Sequence, residues 1–125
     1  MLGSHDVGAT LAVSDFEAAR KFYEDTLGLT AATAMEGAAI YASGNAQLLV
    51  YESEYAGTNK ATAATWAVGG DFDAVVDDLR GKGVVFEHYD DLPGTTRDGD
   101  VHTMDGMRGA WFKDPDGNIL SIVDQ

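Results

Sequence analysis

Apolar positions follow two alternating periods along this chain, and the order in which the periods switch recurs. Val7 to Val13 is small and apolar with Thr10 inside it, which predicts a strand. Ser14-Asp15-Phe16-Glu17 then has capping-box spacing, a hydroxyl followed three residues later by a glutamate. The helix it opens carries Phe16, Ala19, Phe22, Tyr23 and Leu27 on one face, and Gly28 stops it. Three short strand-like runs follow: Leu29 to Ala34, Ala38 to Ala42 and Gln47 to Tyr51. The turn-prone Glu36-Gly37 and Ser43-Gly44-Asn45 divide them.

The second half repeats this order. Thr62 to Val68 reads as a strand, and Gly69-Gly70-Asp71 leads into a helix with Phe72, Val75, Val76 and Leu79 on one side. Gly81 and Gly83 end it. Val84-Val85-Phe86 starts another strand, Gly109 to Lys113 a further one, and Ile119 to Val123 the last. Residues 90–106 between them are polar and glycine-rich without a clear period, which predicts a long loop, either a functional flap or a disordered insert. The pattern implies an α+β chain of two βαβββ modules, about residues 5–54 and 61–125, forming one domain. A module of this size buries too little apolar surface alone, so the two are expected to share a concave mixed sheet with the helices outside. Such a sheet offers a cleft for a ligand.

Composition narrows the function. The 125 residues are 45% hydrophobic, enough for a real core. There is no cysteine, which removes disulfides, thiolate metal sites and cysteine nucleophiles. With 21 Asp plus Glu against 8 Lys plus Arg, the net charge is −13. That field repels phosphate backbones and anionic lipids, so neither nucleic acid nor membrane is an expected partner. No apolar run approaches the ~18 residues of a spanning helix, and the first residues lack a basic-apolar leader pattern, so a cytoplasmic location is expected.

Two stretches carry a family resemblance. Val13-Ser14-Asp15-Phe16-Glu17-Ala18-Ala19, with Phe22-Tyr23-Glu24 and Leu27-Gly28-Leu29, resembles the first-half motif of the vicinal oxygen chelate superfamily, which includes glyoxalases, bleomycin-resistance proteins and dioxygenases. Trp111-Phe112-Lys113-Asp114-Pro115-Asp116-Gly117-Asn118 is similar to its second-half turn motif. Both motifs have structural meanings, core residues in the first and tight-turn chemistry in the second. They bear on fold, and fold alone does not settle function.

The resemblance implies a divalent metal on the concave face of the family's enzymes, held by His, Gln or Glu. The first-strand ligand position, seven residues before the motif aspartate Asp15, is Gly8 here. Its second-half counterpart is Ala63 or Ala64, and the last-strand glutamate position is Ser121. In the fourth strand the matching stretch is Leu48-Leu49-Val50, with acids only beyond it at Glu52 and Glu54. These residue types do not build a metal site, so no metal and no cofactor are expected. His5, His88 and His102 read as surface or hydrogen-bonded histidines.

No Gly-x-Ser-x-Gly elbow, P-loop or dinucleotide spacing is present, and no catalytic residue is assigned. The aromatic side chains on or beside strands are the better candidates for ligand contact. Tyr41, Tyr51, Tyr55, Trp66 and Trp111, with Met107, are expected to offer apolar surface, while Asn59 and His102 are expected to offer polar contacts. Tyr89 belongs to the same aromatic set. By resemblance to the bleomycin-resistance branch, the chain is expected to be a homodimer that sequesters an apolar or aromatic small molecule. The rival expectations are a glyoxalase-like lyase, an isomerase or a dioxygenase with a displaced metal, and a cofactor-free enzyme with His102 as base.

Overall fold

A computed structural model describes all 125 residues. Its strands are β1 (Ala9–Val13), β2 (Thr30–Met35), β3 (Ala38–Ser43), β4 (Ala46–Glu52), β5 (Thr62–Ala67), β6 (Thr95–Asp98), β7 (Val101–Met104), β8 (Met107–Lys113) and β9 (Ile119–Val123). The helices are α1 (Phe16–Arg20), which continues as a π-helical stretch over Lys21–Thr26, and α2 (Phe72–Gly81). The α+β class read from the sequence is present; the elements run βαβββ and then βαββββ, in two mixed-strand sheets and not one shared sheet. No helix is long and apolar enough to cross a membrane.

The chain divides into two compact units. The first is Met1–Ala63 with the turn Asp114–Asn118. Its sheet has the order β1-β4-β3-β2, with β1 parallel to β4 and the other pairs antiparallel. Alternation sends Leu11, Val13, Ala39, Tyr41, Leu48 and Val50 into the core beside Phe16, Ala19 and Tyr23 of the helix. Asp15 caps α1, its carboxylate accepting from the Ala18 amide at 3.2 Å. The expected capping box is therefore entered at Asp15 and not at Ser14. The Ser14 hydroxyl and amide both donate instead to Asp116.

The turn motif has a specific task in this unit. Asp114 is 5% exposed, and its carboxylate accepts four hydrogen bonds. Oδ1 takes the Asp116 amide at 2.9 Å and the Asn118 amide at 2.8 Å, while Oδ2 takes the Tyr23 hydroxyl and Asn118 Nδ2, both at 2.8 Å. Asn118 Nδ2 also donates to the Ala12 carbonyl at 2.7 Å. Burial, reinforced by the Asp114 carboxylate, raises the Tyr23 phenol far above its ordinary pKa, so it stays a donor.

The second unit is Ala64–Lys113 with Ile119–Gln125. Its sheet has the order β5-β9-β8-β7-β6. Ala110, Phe112, Leu120 and Ile122 form a buried face with Phe72, Val76 and Leu79 of α2. The loop expected over 90–106 is largely absent. Two tight hairpins replace it: Gly99-Asp100 joins β6 to β7, and Asp105-Gly106 joins β7 to β8. Asp105 and Gly106 both have positive φ, 48° and 79°, as a two-residue turn between twisted strands requires. The strand expected from Val84 makes a single bridge, Glu87 to Trp111, because β7 already lines β8 up to Gly109.

Candidate ligand site

Register defines the face of the second sheet turned away from Ala110 and Phe112, on which His102 and Ser121 are buried and Trp111, Met104 and Met107 are half-buried. Gly109 faces His102 and Met107 faces Met104 across β7–β8, while Trp111 faces Ser121 across β8–β9. Residues directly opposite in an antiparallel pair share a face, as do residues two apart. Met104, Met107, His102, Trp111 and Ser121 therefore lie on the face opposite the buried Ala110 and Phe112. Thr95 and Arg97 join them, since Thr95 pairs with Met104 and Arg97 with His102. The sequence-expected His102, Met107 and Trp111 are thus brought to one surface.

An aromatic cluster occupies its middle. The His102 ring lies edge-on to Trp111 at 4.8 Å and 85°, and Tyr89 meets Trp111 edge-on at 5.4 Å and 79°. Edge-to-face pairs of this kind set ring positions tightly. His102 is 1% exposed, and its Nε2 accepts the Tyr89 amide hydrogen at 3.0 Å. The neutral ring must then carry its proton on Nδ1. Burial lowers the His102 pKa, the charges of Arg97 and His88 lower it further, and Asp90 and Asp100 oppose them. Burial also raises the Tyr89 phenol, with Glu87 adding to it.

Three consecutive residues, His88, Tyr89 and Asp90, are tied to the β6–β7 hairpin by side chains. His88 Nε2 meets Asp100 at 2.8 Å, the Tyr89 amide meets His102, and Asp90 takes Arg97 Nε at 2.7 Å. Arg80 holds the other Asp100 oxygen at 3.0 Å. The hydrogen bond from His88, aided by Arg80, keeps the Asp100 carboxyl below its usual range.

The remaining expected contacts go elsewhere. Tyr41 is 0% exposed, stacks on Tyr23 at 6.1 Å and donates to Glu24 at 3.0 Å. This is a correction: β3 turns Tyr41 inward, and a ligand has no access to its ring. Burial and the Glu24 hydrogen bond push its phenol up to about 12. Tyr51 lies on the open face of the first unit's sheet, across from Ala38. Tyr55 (70% exposed) and Asn59 sit in the connection after β4, where Asn59 Oδ1 accepts the Ala61 amide at 3.0 Å. Trp66 follows Thr65, whose hydroxyl meets Ser121, so alternation sends Trp66 to the other face of β5.

The positions implied for a metal do not fit one. Gly8 has no side chain, and a Cβ there would meet the Gln47 carbonyl oxygen at 3.2 Å. The residue that meets Ser121 is Thr65, not Ala63 or Ala64, and the two hydroxyls hydrogen-bond each other at 2.7 Å. Two neutral hydroxyls spent on one another are a poor donor set for a divalent ion. No group of three or more His, Asp or Glu side chains is placed to hold an ion anywhere in the chain.

Thr65, Tyr89 and Thr95 were not singled out for this surface by sequence reasoning. The tyrosine was one aromatic among several, and Thr95 fell in the stretch read as loop. The available signal was the pair Gly99-Asp100 and Asp105-Gly106, each a two-residue hairpin signature.

Comparison with known proteins places this architecture. Among solved structures, the chain is similar to lactoylglutathione lyase from Agrobacterium tumefaciens, with 18% identity, 96% of this chain and 92% of that one covered, and a TM-score of 0.70. It is similar to the fosfomycin resistance protein FosX from Mesorhizobium loti at 12% identity, with 97% and 92% covered and a TM-score of 0.68. Oxidase ChaP-H1 shares 27% identity over 94% of this chain and 93% of its own, with a TM-score of 0.68. No curated protein sequence matches the chain significantly. The family model described as Glyoxalase/Bleomycin resistance protein/Dioxygenase superfamily matches residues 7–122, and the chain belongs to that superfamily.

Proposed function

We propose that this protein binds an apolar or aromatic small molecule on the face of its second sheet that carries Trp111 and Met107, without a resident metal ion, and acts by sequestering it. The carrying observation is Ser121, at the last-strand position where the resemblance implies a metal-binding glutamate, with its hydroxyl bonded to Thr65 and on the same face as Trp111, Met107 and His102. An aromatic ligand offset-stacked on one such ring gains about 0.5–1.5 kcal/mol beyond area burial. The net charge of −13 favours a ligand carrying a positive charge away from its rings. The family name includes bleomycin-resistance proteins, which supports an antibiotic as the ligand; a homodimer is the working form proposed by the same resemblance.

The test has two parts. Elemental analysis of protein that has met neither chelator nor nickel column is expected to find far less than one metal ion per chain. Bleomycin titration is expected to quench tryptophan fluorescence, with Trp111→Phe weakening binding about tenfold and Trp66→Phe leaving it unchanged. One metal ion per chain would overturn the reading. It would favour the rival of a lyase, isomerase or dioxygenase, which the 27% identity to an oxidase supports.

A further inference from the structure

Three buried side-chain polar atoms find no partner within the protein: the Tyr89 hydroxyl, Thr95 Oγ1 and His102 Nδ1. All three belong to the same patch. Thr95 and His102 are diagonal neighbours on one face of β6–β7, about 7–8 Å apart at the backbone. The Tyr89 ring lies 6.0 Å from the imidazole of His102. A native chain rarely leaves buried polar groups unpaired, and a concentration of them in one place calls for a physical cause.

Their chemistry is uniform. His102 Nε2 is already occupied as an acceptor by the Tyr89 amide, so Nδ1–H can only donate. The Tyr89 and Thr95 hydroxyls can each donate as well. The complement is an oxygen acceptor. A neutral acceptor is favoured over an anion, because the cations nearest the patch are already spent, Arg97 on Asp90, and Arg80 and His88 on Asp100, in a chain of net charge −13. An ammonium or another donor does not fit, because it would face Nδ1–H donor to donor. A neutral carbonyl oxygen fits, and the ring that bears it would lie beside Trp111, which meets both His102 and Tyr89.

Access follows from how residues 84–90 are held. Residues 84–87 are anchored: Val84 and Phe86 are buried, Phe86 meets Phe112 edge-on at 6.0 Å, and Glu87 bridges to Trp111 with its carboxylate 3.2 Å from Lys113 Nζ. Residues 88–90 beyond them belong to no strand and are held by the side-chain ties at His88, Tyr89 and Asp90, so this short stretch can move aside without breaking a strand ladder. We propose that Tyr89, Thr95 and His102 form the polar half of the ligand site and receive the neutral carbonyl oxygen of an aromatic ligand, with Tyr89 as the residue that lifts to admit it. This rests on the reading that the second sheet binds an aromatic molecule.

Acetophenone and ethylbenzene are matched probes, alike in ring and size and differing in the carbonyl. Binding is read by tryptophan fluorescence, and the His102 ring by imidazole nitrogen and Hδ1 resonances. Acetophenone is expected to bind about fivefold more tightly than ethylbenzene and to shift the His102 Hδ1 resonance. Tyr89→Phe and Thr95→Val are each expected to erase that preference while raising the melting temperature by about 4 °C, because each removes an unpaired buried hydroxyl. A merely structural hydroxyl would show the opposite thermal effect. Equal binding of both probes with an unmoved His102 overturns the carbonyl site and leaves the aromatic reading standing. Binding of neither probe overturns both. Variants that lose stability show that the hydroxyls are paired inside the protein, by a trapped water or otherwise, and also overturn the carbonyl site.

Discussion

Asp114→Ala tests whether the turn motif is a stability device. The substitution removes an acceptor of four hydrogen bonds. It strands the Tyr23 hydroxyl, which is 0% exposed, and the amide of the buried Asn118. The Asp116 amide lies on a partly exposed residue and can turn to water, and Asn118 Nδ2 keeps the Ala12 carbonyl at 2.7 Å. Two stranded buried donors at about 1–3 kcal/mol each, with the lost charge assistance, give about 3–5 kcal/mol. A domain of this size has about 5–15 kcal/mol in total, so the loss is a large share of it.

Urea unfolding followed by circular dichroism reads the effect. With an m-value of about 2 kcal/mol/M, the midpoint should fall by about 2 M at constant m. Asp114→Asn should cost about 2–3 kcal/mol, because an amide keeps one acceptor for the two backbone amides but turns an NH2 toward Tyr23 and Asn118 Nδ2. Tyr23→Phe should cost about 1 kcal/mol, and Tyr23→Phe with Asn at 114 should cost less than the two separately. A loss below about 1 kcal/mol for Asp114→Ala, or strict additivity in the cycle, would refute the assignment.

Three further outcomes follow from the same geometry. Tyr23 and Tyr41 have folded pKa values raised above the unfolded ~10, so their contribution is complete below about pH 10 and is lost as pH rises through the folded values. The Tyr41 phenolate band should grow in at about 12, and its appearance near 10 in folded protein would remove the burial argument. His102 has the reverse sign: its folded pKa is depressed, so stability is complete above the unfolded ~6.5 and declines as pH falls below it. His102→Gln, whose amide oxygen can still accept the Tyr89 N–H, should flatten that acid limb in urea midpoints taken across pH, and an unchanged limb would assign it elsewhere. Gly57 has φ +72°, and a Cβ there would press into the Asp116 carbonyl oxygen. Gly57→Ala should cost at least about 2 kcal/mol in thermal melts, and a neutral result would show that the turn gives way freely.

What could be read from sequence divides along physical lines. The strand–helix order was legible because α1 and α2 carry apolar residues at helical spacing and glycines at their ends. The Asp114 turn was legible as turn chemistry. Its four-bond network was not, because one donor, Tyr23, lies 91 residues earlier in the chain. Residues 95–98 read Thr-Thr-Arg-Asp, with no apolar alternation, and that hid β6 even though Gly99-Asp100 marked a hairpin. In β3 the neighbours Ile40 and Tyr41 are both apolar, so period two alone does not say which faces inward. The core chose Tyr41, since Glu24 from the helix could satisfy its hydroxyl. His102, Met107 and Trp111 were named among eight candidate contacts, and that they share a face came from register, which a single strand does not disclose.

The two buried tyrosine hydroxyls of most interest, Tyr23 and Tyr89, make an internal comparison. Both side chains place a phenol oxygen out of reach of solvent, and burial raises the pKa of both. Tyr23 delivers its proton to a carboxylate inside its own unit at 2.8 Å, whereas Tyr89 meets no acceptor. The same atom deletion must then act in opposite directions. Tyr23→Phe removes a completed bond and lowers stability by about 1 kcal/mol, while Tyr89→Phe removes an uncompensated group and raises it by a similar amount. On the proposed reading, the second hydroxyl is kept for the carbonyl oxygen of a ligand and adds nothing to stability. Opposite signs in a pair of denaturation curves would separate a tyrosine that holds the fold from one kept for a ligand, and two losses of equal size would end that distinction.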